Sequence, residues 1–218
     1  MSRSVIVLGQ HRSGTSAVAG ILHHLGIPMG TPGNIESATH LVDGWPAFDS
    51  NPYGQFEDND FVKIFNDGHG AWECPVWWTY SEETGQAAKD LVRKREYDHE
   101  LWGLKTPQLC YTLMYLLDYL KDPVVIAIRR DFDDMVASLA KRSDYPIPVA
   151  QHIQSLYYSL YRGTKVKVKG RGVPLLELEF EEVLEFPYIA TGKIMDFINI
   201  PLSMTLLDKA ADSIQRAH

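Results

Sequence analysis

The first stretch able to do chemistry is VIVLGQHRSGTSAVAG, residues 5–20. Gly9 and Gly14 occupy the two glycine positions of the phosphate-binding pattern G-x-x-x-x-G-K-[ST], and Ser16 falls on its hydroxyl position. Thr15 stands where that pattern has lysine, and Arg12 lies inside the loop. Where a strand turns into a helix, backbone N–H groups converge on one point and the helix dipole adds partial positive charge. Residues 9–16 therefore predict an anion site. Arg12 offers a planar fork of donors to an oxyanion, where lysine would offer a point charge. The competing reading is an ordinary helix start capped by a hydroxyl residue. Three hydroxyls in the turn, Ser13, Thr15 and Ser16, favour a ligand.

A second stretch, PVVIAIRRDFDDMVASLA at 123–140, places Arg130 at the end of an apolar run and Ser138 eight residues on, in a helix. Read alone, Arg130 would pair with Asp131, Asp133 or Asp134.

Elements must hold these groups together. Short, almost continuously apolar runs at 4–9, 101–104, 123–128 and 174–178 read as strands buried on both faces. Helical patterns fall at 14–25, 56–66, 82–97, 107–120, 132–142, 147–162, 188–198 and 204–216. Alternation of the two predicts a parallel sheet with helices on both faces. The basic run KVKVKGR at 165–171 reads as a solvated turn, because alternating lysine suggests an exposed edge.

With 218 residues, the chain predicts a single domain, 1–218. Two proline- and glycine-rich or aromatic segments near 28–55 and 68–80 read as loop or lid insertions. They hold Trp45, Trp72, Trp77 and Trp78, which could wall a pocket or plug the core. A net charge of −7 argues against general nucleic-acid binding. Cys74 and Cys110 sit in no C-x-x-C, so neither a disulfide framework nor a zinc site is expected. Val5–Leu8 is too short a run for a signal peptide, and no stretch is long enough to span a membrane. A cytoplasmic protein without stable membrane insertion is the expectation.

Four segments resemble the sulfotransferases that use 3′-phosphoadenosine 5′-phosphosulfate (PAPS). HRSGTS resembles their 5′-phosphosulfate loop. RDFDDMVAS resembles their R-N-P-R-D-x-x-x-S motif for the 3′-phosphate, with Asp131, Phe132 and Asp133 in place of N-P-R. LEFEEVLEFP is similar to their Y-E-D-[LM]-x-x-x-P segment, with Phe180 for the tyrosine. GLKTPQL resembles the K-T-H or K-D-P stretch entering the active site. NPYGQFEDNDFVKIFND at 51–67 looks like the G-x-[FW]-E-[DS] segment of bacterial- and phage-type members.

The resemblance implies an α/β fold, a central parallel β-sheet flanked by helices in a P-loop NTPase-like three-layer sandwich. It implies transfer of a sulfuryl group from PAPS to a hydroxyl or amine, leaving 3′-phosphoadenosine 5′-phosphate, with a small-molecule or glycan acceptor. Arg12 and the N–H groups of Ser13, Gly14, Thr15 and Ser16 would hold the 5′-phosphosulfate, and no metal would be needed. Arg130 and Ser138 would hold the 3′-phosphate. Phe180 would lie against adenine or pack in the core. Lys105 would stabilise the bridging oxygen, but Pro107 stands where many members place a histidine base. Glu57 is the candidate base, expected at a helix start beside the pocket, with His40, Asp58 and His69 behind it. Nothing after residue 190 resembles the family's late basic loop. Two other functions stay open: a P-loop kinase or NTPase with a degenerate loop, and a PAPS-binding homologue without catalysis.

Overall fold

The computed structural model describes residues 2–30, 56–66 and 81–215. Most of the two expected insertions, with Trp45, Trp72, Trp77, Trp78, Cys74, His40 and His69, lies outside the described residues.

Four strands form where apolar runs were read: β1 Arg3–Leu8, β2 Leu101–Lys105, β3 Pro123–Arg129 and β4 Leu175–Glu179. They pair in the order β2-β1-β3-β4, and every pairing is parallel. The two central strands are sealed on both faces, which explains their unbroken hydrophobicity. Ile6 and Leu8 of β1 turn into one core with Trp102, Leu104, Val125 and Ala127. Val5 and Val7 turn into a second core with Val124, Ile126 and Ile128. Side chains alternate along a strand, so these two cores are the two faces of the sheet.

The helices divide accordingly. Helices α2 (Asn59–Asn66), α3 (Glu82–Asp98), α4 (Leu109–Leu116), α5 (Phe132–Ser143) and α6 (Ile147–Gly170) pack on the first face. Helices α1 (Thr15–His24), α7 (Phe180–Glu185), α8 (Pro187–Phe197) and α9 (Met204–Gln215) close the second. The result is the three-layer sandwich expected from strand–helix alternation.

One local reading is corrected. Residues 165–170 are not a turn but the last turns of α6. Lys165 and Lys169 lie four apart, as helical neighbours do, and both bond Glu177 of β4. Val168 between them is fully buried. Residues 180–185, which the sequence reading assigned to no element, form the short helix α7.

Candidate functional site

In an open parallel sheet, ligands bind beyond the carboxyl ends of the strands, where strand order reverses. Here β1 leads outward to β2, and β3 returns on the other side of β1. The reversal lies between β1 and β3. The segments that leave these two strands carry Arg12 and Arg130, the two arginines singled out in the sequence.

The loop after β1 is tightly built. Ser13 Oγ donates to the Gln10 carbonyl at 2.8 Å and Ser13 N to the same oxygen at 3.3 Å. Both Ser13 donors thus serve the loop itself, leaving a ligand to Gly14, Thr15 and Ser16. The Cys110 thiol, free and buried, donates to the Gly9 carbonyl at 3.3 Å. A Cβ on Gly9 would lie 2.6 Å from Ser13 Oγ and 2.6 Å from Thr15 Cγ2. Arg12 and Gly14 take positive φ, 65° and 92°. The first N–H groups of α1 have no intrahelical acceptor, and its first turn holds no acidic residue to compete with an anion.

Phe180 is buried and packs directly against the loop; a Cβ on Gly14 would stand 2.1 Å from its Cδ2. Gly14→Ala therefore meets two penalties, an unfavourable left-handed backbone of about 1–2 kcal/mol and overpacking of about 1–3 kcal/mol. The expected result is a denaturation midpoint lowered by at least about 2 kcal/mol of stability, read by urea unfolding. A smaller shift would mean that Phe180 swings aside freely.

The segment after β3 sorts its two arginines. Arg129 turns outward to Glu179 at 2.7 Å. Arg130 turns inward: its Nη1 donates to the Arg12 carbonyl at 3.3 Å, and its guanidinium sits 4.8 Å from the centre of the Phe180 ring. Asp134 is 3.8 Å from Arg130 Nη2, while Asp131 caps α5 by accepting from Asp133 N and Asp134 N. The Nε of Arg130 is buried without a partner among the described residues.

Arg12 reaches across to α5, where its Nε donates to Ser138 Oγ at 2.9 Å. One turn further along α5 stands Arg142, which the sequence reading missed. Burial, then Arg142, then Arg130 hold the Arg12 guanidinium below its usual pKa. Like charges gathered in a half-buried site favour an anion between them. The four-residue spacing of Ser138 and Arg142 was the available signal.

The second pair of candidates also meets. Lys105 closes β2, in register with Val7. Its Nζ donates to Glu57 Oε1 at 2.6 Å, with the two side chains 3% and 13% exposed. Glu57 lies two residues before α2 rather than in its first turn. Asp58 does different work: it takes two donors of Arg95 at 2.8 and 3.0 Å and accepts from Asp60 N at 3.0 Å. Burial pushes the Asp58 carboxyl up, and Arg95 opposes that shift. A carboxylate locked in this way holds α2 to α3 and is no free base. Among the described residues, no three His, Cys, Asp or Glu side chains are grouped to hold a metal. No described helix is long and apolar enough to cross a membrane.

Sheet order, glycine loop and inward arginines define an α/β protein of the P-loop type. The sulfotransferase family model matches residues 4–204, and the chain belongs to that family. Its fold is similar to that of sulfotransferase STF1 from Mycobacterium tuberculosis, with a TM-score of 0.56, 17% identity, and 99% of this chain and 71% of that chain covered. It is also similar to that of sulfotransferase STF9 from Mycobacterium avium, with a TM-score of 0.52, 12% identity, and 99% and 67% covered. Among curated protein sequences, none matches.

Proposed function

We propose that the protein transfers a sulfuryl group from PAPS to a hydroxyl or amine of a small-molecule or glycan acceptor. The observation that carries this reading is the meeting of Arg12, Ser138 and Arg130 at the sheet's reversal point, from two separate segments. A donor with phosphates at both 5′ and 3′ positions suits two such segments better than a simple nucleotide does. The Arg130 Nε, without a partner among the described residues, and the acid-free start of α1 fit such an anion.

PAPS supplies an activated sulfuryl group and leaves as a bisphosphate. Gly14, Thr15 and Ser16 present N–H and hydroxyl donors to its 5′ end. Arg12 neutralises charge there, and Arg130 with Ser138 takes the 3′-phosphate. Lys105 faces the oxygen that gains charge as the sulfuryl group departs. Glu57 takes the acceptor's proton, held in place by the same Lys105. In-line transfer of this kind rests on positioning and charge stabilisation, by analogy with phosphoryl transfer. Phe180, packed between Gly14 and Arg130, stiffens the site from below and supports the Arg130 guanidinium.

The test is calorimetric titration with 3′-phosphoadenosine 5′-phosphate and with ADP, both without magnesium. The bisphosphate should bind and ADP bind far more weakly. In Arg130→Ala the bisphosphate affinity should fall by about 10–100-fold, the worth of a charge-assisted contact. Tighter binding of ADP, dependent on magnesium, would sink this reading and restore the P-loop kinase or NTPase alternative. Tight bisphosphate binding with no turnover of any phenol, sugar or amine acceptor would leave a binding protein without catalysis.

A further inference from the structure

Helix α6 buries one face, formed by Ala150, Ile153, Gln154, Tyr157 and Tyr161. Gln154 is the polar member of that set and has no exposed surface. A buried amide at a core position is costly unless its bonds are made, and here they are made to two elements at once. Its Nε2 donates to the His11 carbonyl at 2.9 Å, in the loop after β1, and to the Met135 carbonyl at 3.3 Å, in α5. Gln10 Nε2 answers by donating to the Gln154 backbone carbonyl at 3.1 Å and to its Oε1 at 3.4 Å. The His11 ring stands edge-on to Tyr157, one turn along α6, with centroids 4.5 Å apart.

The two segments joined by this amide are the ones that present Arg12 and Ser138, whose side chains meet at 2.9 Å. Taking the donor site as proposed above, we infer that Gln154 is a positioning residue that fixes the spacing between the 5′ loop and α5, so that both ends of one bisphosphate are met together. It touches no ligand. Its contribution is registration, and it belongs to ligands that span both segments.

The test compares two ligands in Gln154→Met, which keeps side-chain volume and removes the amide. Binding of 3′-phosphoadenosine 5′-phosphate is measured directly, and that of adenosine 5′-monophosphate by displacement. The bisphosphate should lose about 10-fold in affinity, the scale of one to two hydrogen bonds, and the monophosphate less than about 3-fold. The ratio between the two is the readout, because a merely loosened loop would weaken both alike. Equal losses, or none, overturn the inference. If Gln154→Met does not fold, Gln10→Met carries the same comparison, since Gln10 orients the amide. A wild-type protein that binds the monophosphate as tightly as the bisphosphate instead refutes the donor assignment, and that outcome is read before any variant is made.

Discussion

Lys105→Met is expected to lower kcat by about 10²–10³-fold, the usual loss when a donor facing developing charge is removed. The affinity for 3′-phosphoadenosine 5′-phosphate should stay within about threefold, because the proposed donor site is built from the segments after β1 and β3. The reasoning starts from the sheet. Lys105 ends β2 beside Val7, so its ammonium emerges at the same carboxyl edge as the glycine loop. Its 2.6 Å contact with Glu57 places a cation and a carboxylate side by side in a largely buried setting. Glu57→Gln should lower kcat by about 10²-fold or more if the carboxylate takes the acceptor's proton. The double variant should be little worse than either single one, since residues acting as a unit are not additive. Release of the bisphosphate product with a responsive acceptor measures all three. A Lys105→Met variant that keeps more than about a tenth of the wild-type rate removes this lysine from the chemistry.

The largest stability loss is expected at Asp58, not in the apolar core. Its side chain is fully buried and Arg95 is 3% exposed, and Arg95 also reaches Asp60 at 2.7 Å. Removing Asp58 leaves the buried guanidinium with the partly exposed Asp60 as its remaining carboxylate, and breaking a buried pair costs about 3–5 kcal/mol. Asp58→Ala should therefore lower the melting temperature by roughly 10 °C in a chain of this size. Replacing both partners, Asp58→Leu with Arg95→Met, should recover much of the loss, because an apolar pair of similar volume is often as stable. A double variant no better than the single one would show that capping of Asp60 N, not charge pairing, is what Asp58 supplies. Glu57 is the neighbouring residue, so the single variant should also lose activity below its own melting point.

Much of the architecture is legible in the sequence. The strand runs were clear because a β-strand buried on both faces has nowhere to put a polar residue, and Val5–Leu8 shows this most plainly. The KVKVK run misled because a two-residue alternation was visible while the partner of Lys165 and Lys169, Glu177, was not. The same limit applies at the site. Arg12, Arg130 and Ser138 could be named individually, yet the contact of Arg12 with Ser138 joins residues far apart in the chain. That Glu57 would meet Lys105, and that Asp58 beside it would be locked to Arg95, depended on tertiary packing that no local pattern encodes. Gln154 sat unnoticed in an amphipathic helix pattern, since a lone glutamine there usually faces water.

The position of β1 at the centre of the sheet also shapes how the chain is made. Arg3 waits for Leu101 and Ser4 for Pro123 before either side of the strand has a neighbour. At ribosomal speeds of about 5–20 residues per second, that leaves the strand without a partner for roughly 5–20 s during synthesis. Val5–Leu8 is apolar, uncharged and prone to extended structure, the kind of segment that recruits other chains when left open. Refolding from denaturant should thus lose yield steeply as protein concentration rises.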